Sequence, residues 1–346
     1  MSSPLYPWQD AAWQQLQLLR PRMPHALLFH GSAGIGKSDF IEHFAQALLC
    51  EDVRTDGHAC GQCASCGWFS QHNHPDYRRV RPEALEDEPG ADGDDGADGD
   101  GGKKGAKSTK APSKDIKIEQ IRGLADFMNI STHRQGLRVV VLYPAEALNT
   151  PASNALLKTL EEPPPGTVFL LASNCLDRLL PTILSRCRKV ALPMPGHADA
   201  LTWLKAQGVA DADSWLREQG GAPLAALAQA EGGSREETEI LLQLLAHPSI
   251  EGALKTAEKL QKAPLGMLVS CLQRWLYDAF SYKLAGNIRY YPRFEKEFAV
   301  LANKVHISRL MKVIKSTNER RAIADHPLSP KLFIEDMLLD YTACCA

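Results

Sequence analysis

The sequence carries no excess of charge of either sign: 39 Lys+Arg against 41 Asp+Glu leave a formal net charge of −2. A protein that grips nucleic acid directly over a broad face is usually strongly basic, so this balance argues against that class. Long apolar runs are also missing, and none approaches the ~20 residues that a bilayer-spanning helix needs. Met1–Arg20 lacks the apolar block of a secretory leader; it is polar and holds Pro4, Tyr6, Pro7, Trp8 and Trp13. A cytoplasmic protein with no membrane partner is expected. In that compartment the nine cysteines are expected as thiols or metal ligands rather than disulfides. There is no internal repeat, and 346 residues suffice for two or three domains.

What is present centres on Ala26–Ser38. Ala26–His30 is a short apolar run suited to a buried strand, and Gly31–Ser38 reads G-x-x-x-x-G-K-S. That is the pattern of a phosphate-binding loop between a strand and a helix. Gly31, Gly34 and Gly36 let the backbone curl until several N–H groups face one anion. A helix starting near Lys37 adds its positive dipole end. Lys37 can reach the outer phosphates and the Ser38 hydroxyl can ligate magnesium. Upstream, Pro7–Arg20 is expected as an amphipathic helix with Trp8, Trp13, Leu16 and Leu19 on its apolar face.

The helix Lys37–Leu49 runs directly into Cys50, Cys60, Cys63 and Cys66, spaced C-x9-C-x2-C-x2-C. Four thiolates so close can close a tetrahedral zinc site, a structural one because no ligand position stays open. The intervening His58, Gly61, Gln62, Ser65 and Gly67 are polar or small, which disfavours a simple cluster of buried thiols. His72 and His74 read as loop residues. Glu83–Gly102 then carries nine acids and no base, and Lys103–Lys114 five lysines. Such a stretch cannot bury enough apolar surface to order itself, so 83–114 is expected to be a mobile, dispensable insertion. Its Asp/Gly alternation lacks the ligand positions of an EF-hand.

Beyond it come a helix over Glu119–Met128, a buried strand Arg138–Leu142, and a helix Ala152–Glu162 capped by Thr150-Pro151 and stopped by Pro163–Pro165. A strand Thr167–Ser173, a helix Leu179–Ser185 and a strand Lys189–Leu192 follow. Strands alternating with helices after a phosphate loop mean a parallel sheet covered on both faces. After His197 the strand signals vanish. Ala198–Gln207, Ala212–Glu218 and Pro223–Glu231 fit a small helical bundle, and Arg235–Cys345 about five longer helices, among them Leu265–Leu284 and His306–Ile323.

These motifs together identify a family. The chain resembles the bacterial clamp-loader subunits of the AAA+ class, most closely the delta-prime family of DNA polymerase III. The matching pieces are the phosphate loop, the four-cysteine insertion after its helix, Asn154-Ala-Leu-Leu-Lys-Thr-Leu-Glu-Glu-Pro-Pro164 and Leu180-Pro-Thr-Ile-Leu-Ser-Arg-Cys187. An all-helical carboxyl half with Asp325-His-Pro-Leu328 and Leu332-Phe-Ile-Glu335 completes the match, which covers nearly everything except the acidic insertion.

The resemblance implies α/β plus all-α architecture in three parts. These are an AAA+ α/β domain over 1–195 containing a zinc module at 50–80, a helical lid at 196–234, and a helical collar at 235–346. It also implies gamma/tau and delta subunits as partners in a hetero-oligomeric ring, with the sliding clamp and primer-template DNA met through that ring. Motor subunits of this family hydrolyse ATP and carry Asp-Glu after the strand Val139–Leu142, where this chain has Tyr143 and Pro144. The lid arginine that should reach the nucleotide is replaced by Leu224. The implied role is therefore a stator that can bind ATP or ADP without hydrolysing it, within a nucleotidyl-transferring holoenzyme. Arg186 of Ser-Arg-Cys is intact and by resemblance is an arginine finger reaching a neighbour's ATP, while Cys187 is a packing thiol. Two rivals remain: a gamma/tau-type motor in which Glu146 has become the base, and a zinc-dependent nucleic-acid binder using Trp68, Phe69, Arg78 and Arg79.

Overall fold

The computed structural model describes residues 5–86, 112–129, 132, 136–232, 235–324 and 329–345. The contacts divide the chain into two compact units, Met1–Pro195 and Gly196–Ala346.

The first unit holds a parallel sheet of β1 (Ala26–His30), β2 (Tyr77–Val80), β3 (Arg138–Leu142), β4 (Thr167–Ser173) and β5 (Arg188–Ala191), ordered β2-β3-β4-β1-β5. Around it lie α1 (Asp10–Leu19), α2 (Lys37–Leu49), α3 (Ala64–Ser70), α4 (Ile118–Asn129), α5 (Thr150–Glu161) and α6 (Pro181–Arg186). β1, β3 and β4 read as unbroken apolar runs because both of their faces are covered. Their alternating residues part cleanly. Leu27, Phe29, Val139, Val141 and Leu170 join Trp13, Leu16, Phe40 and Phe44 on one side. Leu28, Val140, Leu142, Phe169 and Leu171 join Ile121, Leu124, Leu156 and Ile183 on the other. β1 lies between β4 and β5. The loop after it thus leaves the carboxyl end of an interior strand, where parallel folds put their ligands.

Several sequence expectations shift here. Pro7–Arg20 is a 3-10 turn at Pro7–Gln9 followed by α1. The cap of α5 is Asn149, whose side chain accepts from the Ala152 N–H, not Thr150. β5 begins one residue earlier than expected, at Arg188. β2 has no counterpart in the sequence reading. It is a four-residue edge strand, Tyr-Arg-Arg-Val, formed by pairing with β3. The stretch assigned to the zinc module, 50–80, therefore ends inside the main sheet. Most of the insertion assigned to 83–114 lies outside the described residues, but its two ends are fastened. Glu83–Leu85 is a 3-10 turn, the Ser113 N–H donates to Glu83 Oε2 at 3.1 Å, and Lys117 Nζ lies 2.6 Å from Glu83 Oε1.

The second unit is helical. α7 (His197–Ala206), α8 (Ala212–Glu218) and α9 (Pro223–Glu231) share a small core of Ala200, Leu204, Trp215, Leu216 and Ala226. α10 (Arg235–Ala246), α11 (Ile250–Leu260), α12 (Leu265–Ala285), α13 (Glu295–Lys304), α14 (Ile307–Ile323) and α15 (Pro330–Cys345) enclose a larger one around Trp275, Tyr291, Phe298 and Tyr341. The stretches expected as lid and collar thus share one unit, each keeping its own core. Glu218 links them, buried at 3.6 Å from Arg235 and 3.8 Å from Arg293.

In the larger core the fully buried Asp278 accepts from the N–H groups of Arg289, Tyr290 and Tyr291. Asp278→Ala strands those donors and should lower the stability of this unit by about 3 kcal/mol, read from its denaturant midpoint. A change within about 0.5 kcal/mol, the range of an ordinary surface substitution, would mean that the loop holds itself.

Candidate functional site

The phosphate loop is shaped by two close approaches. A Cβ at Gly31 would stand 2.2 Å from the Leu192 carbonyl oxygen. Gly36 has φ +82°, and a Cβ there would meet the Tyr6 ring at 2.4 Å. Both positions exclude any other residue. The Pro7–Gln9 turn braces the loop from behind. Trp8 Nε1 donates to the Ile35 carbonyl at 3.0 Å, Gln9 Nε2 to the Ile35 and Gly36 carbonyls at 3.0 and 2.8 Å, and Tyr6 Oη to Asp39 at 3.0 Å. With those carbonyls tied from outside, the loop is held in shape by its own chain. Trp8 had been legible only as an apolar helix position; its indole N–H bond to the loop had no sequence signal.

Lys37 starts α2 and is buried, with Nζ donating to the Ser32 carbonyl at 2.5 Å. Burial pulls its pKa down to about 8, against the negative charge of Glu146, which opposes the fall. An ammonium that has already lost most of its water is well prepared to receive a phosphate oxygen.

Where a motor subunit needs its magnesium and water-activating acids, the end of β3 carries Tyr143 and then Pro144. Burial first, then the charge of Glu42, raise the Tyr143 pKa, so its side chain is a neutral phenol. Glu42 on α2 is engaged as well, accepting from the Tyr77 hydroxyl and lying 3.9 Å from Arg79 Nη1. Glu146 accepts from the Asn174 backbone N–H at 3.0 Å and from its side-chain amide at 2.8 Å. It is within electrostatic reach of Lys37, yet its carboxylate is occupied by Asn174. Leu224 lies on α9, in the other compact unit.

The four cysteines gather at the far end of α2. Their ligand atoms lie within 4.8 Å of one another. Cys50 and Cys63 Sγ are 3.9 Å apart, and Cys60 and Cys66 Sγ 4.0 Å. A tetrahedron of ~2.3 Å zinc–sulfur bonds sets these separations at about 3.8 Å, so the donor set fits that ion. Backbone N–H groups point at the sulfurs as thiolates require: Cys60 at Cys50, Gln62 and Cys63 at Cys60, and Cys66 at Cys63. Those from Gln62 and Cys63 pull the Cys60 pKa to about 7, whereas burial raises those of Cys50 and Cys66. Buried thiols of this kind ionise when a cation offsets the charge.

His74 lies in the loop between α3 and β2, as expected, and is buried there. Its Nδ1 accepts from the Asp76 N–H, so Nε2 carries the proton and donates to Ser65 Oγ at 2.8 Å; Ser65 in turn donates to the Leu49 carbonyl. This chain pins the knuckle between Cys63 and Cys66 to the end of α2. Trp68 and Phe69 are on α3, with Phe69 in the main core, and Arg78 and Arg79 are on β2.

Arg186 ends α6. Its Nη2 lies 2.5 Å from Glu161 Oε1, and its Nη1 donates to the Thr182 carbonyl at 2.9 Å. β5 runs parallel to β1 with Arg188 beside Leu27 and Ala191 beside His30. Arg186 precedes β5 and the phosphate loop follows β1, so the two lie at opposite ends of these neighbouring parallel strands. At about 3.3 Å per strand residue that separation exceeds an arginine's reach. Cys187 is buried in the core beside Ile183, as a packing thiol. The structure thus brings the loop and the cysteines to the two ends of α2 and sets Arg186 apart from the phosphate loop.

Residues 8–195 match a family described as DNA polymerase III, delta subunit. Among curated relatives, the DNA polymerase III subunit delta' of Pseudomonas aeruginosa is 42% identical over 200 residues, 58% of this chain and 52% of that protein. That of Haemophilus influenzae is 33% identical over 205 residues, 59% of this chain and 54% of its own length. The Escherichia coli protein of the same name is 32% identical over 248 residues, 70% of this chain and 66% of its own. The matches therefore span half to two thirds of these relatives' lengths. Among the described residues no helix is long and apolar enough to cross a membrane.

Proposed function

Since the chain belongs to the DNA polymerase III delta-subunit family, we propose that it is the non-hydrolysing, delta-prime-type subunit of a bacterial clamp loader. In this reading it sits in a cytoplasmic hetero-oligomeric ring with gamma/tau and delta subunits, joined through α10–α15. It meets the sliding clamp and primer-template DNA as part of that ring. The observation that carries the reading is the separation of Arg186 from its own phosphate loop, along the length of the strands. A guanidinium so placed can serve an ATP only if another subunit supplies it.

Gly31, Gly34, Gly36, Lys37 and Ser38 retain what is needed to hold the phosphates of ATP or ADP, through backbone N–H groups, the prepared Lys37 ammonium and the dipole of α2. Hydrolysis is a different matter. Tyr143 and Pro144 offer neither a carboxylate for the magnesium shell nor a base for water. Zinc held by Cys50, Cys60, Cys63 and Cys66 would cross-link a module that has little core of its own, and would take no part in chemistry.

The purified chain should turn over no ATP above background, alone or with magnesium, in a steady-state phosphate-release assay. Magnesium-dependent turnover that Lys37→Ala abolishes would identify it instead as a gamma/tau-type motor with Glu146 as its base.

A further inference from the structure

The Leu-Glu-Glu-Pro-Pro string ends α5, and the role of its first glutamate is open. Pro163 forbids the helix to continue, which leaves Glu161 in the last turn with its carboxylate directed at the last residue of α6. An acid there faces the negative end of its own helix, an unfavourable position unless a cation compensates it. The cation is Arg186, at 2.5 Å. Glu161 is 50% exposed and Arg186 33%, and pairs that open to water add little to stability. Stability alone therefore gives no reason for an acid to stand in this unfavourable place.

The donor count suggests another reason. A guanidinium has five N–H bonds. In Arg186 those of Nη1 go to the Thr182 carbonyl and Ser185 Oγ, and one of Nη2 goes to Glu161. The Nε–H and one Nη2–H remain, with no partner among the described residues. Two donors are what a phosphoryl group needs for two-point contact. Left free, the long side chain would have to give up its rotational freedom on meeting the phosphate; held at three points, it has already done so.

We propose that Glu161 is a positioning residue: it holds the Arg186 guanidinium in one orientation, with two donors presented outward to the phosphoryl group of a nucleotide on another subunit. The inference rests on the reading of Arg186 as a group acting in a neighbour's site. Glu161 itself never touches the nucleotide. Its negative charge opposes phosphate binding, a cost that Glu161→Gln removes while keeping an acceptor for Nη2.

The test is a reconstituted loader containing the full chain as wild type, Glu161→Ala, Glu161→Gln, Arg186→Ala or the Glu161→Ala/Arg186→Ala pair. Assembly and the kcat and KM of clamp- and DNA-stimulated ATP hydrolysis are measured for each. The part of the rate that Arg186→Ala removes is taken as the site served by this chain. Glu161→Ala should lower that part about tenfold in kcat, with KM nearly unchanged and assembly intact. Glu161→Gln should recover most of it, because its amide oxygen still accepts from Nη2. The pair should be no slower than Arg186→Ala alone. If Arg186→Ala slows hydrolysis and Glu161→Ala leaves it unchanged or faster, or if the pair is slower than Arg186→Ala, the positioning role is wrong and the finger reading stands. If Arg186→Ala has no effect, the finger reading itself has failed and takes this inference with it.

Discussion

Replacing Arg186 by alanine should leave a reconstituted loader assembled and abolish turnover at one of its ATP sites. Arg186 ends α6 in the first compact unit, whereas the helices proposed to hold the ring together, α10–α15, are all in the second. The partners of the guanidinium, Thr182, Ser185 and Glu161, all belong to the first unit. An arginine supplied to a transferring phosphoryl group from outside contributes roughly 10³–10⁵ in rate where related nucleotide hydrolases have been measured. The site facing this chain should therefore fall silent, while sites served by other subunits go on working. The total stimulated rate drops to a plateau rather than to zero, and clamp loading falls with it. Lysine at 186 should rescue poorly, because an ammonium keeps the charge and loses the planar fork that matches phosphate oxygens. Hydrolysis and loading both unchanged by Arg186→Ala would refute the role.

The second large effect concerns the cysteines. Freshly purified chain should carry one zinc, and either chelation or Cys66→Ser should unfold the segment between α2 and β2 while the sheet survives. Zinc binding to small modules of this kind is coupled to their folding by about 10–16 kcal/mol at neutral pH, more than the local packing here can replace. The sheet has its own support in Phe29, Phe40, Phe44, Val139 and Leu170. Phe69, which the module lends to that core, would be withdrawn, so some loss of overall stability should accompany the change. Limited proteolysis with and without chelator reads the difference, with new cleavage confined to 51–76. Substantially less than one zinc per chain, or an unaltered cleavage pattern after chelation, would rule out a structural metal.

The sequence by itself determined the parts whose physics is local. β1, β3 and β4 were legible to the residue because a strand buried on both faces must be an unbroken apolar run, and α2 because a glycine-rich loop must release into a helix at Lys37. The cysteine cluster was legible because two C-x2-C turns bring sulfurs to metal-binding distance through backbone geometry alone, before any packing. Tyr143 and Pro144 were equally plain, since a missing carboxylate is missing in any fold. Tertiary structure decided what depends on pairing between distant segments. β2 holds two arginines in four residues and becomes a strand only because β3 offers it an edge. Trp8 and Gln9 brace a loop more than twenty-five residues away, and His74 reaches back to Ser65. Glu146 is claimed by Asn174 across twenty-eight residues, and Glu161 meets Arg186 across twenty-five. A side chain's partner at such separations is set by where helices and strands pack, and residue type at a single position records only that it can form a bond, not which bond it forms.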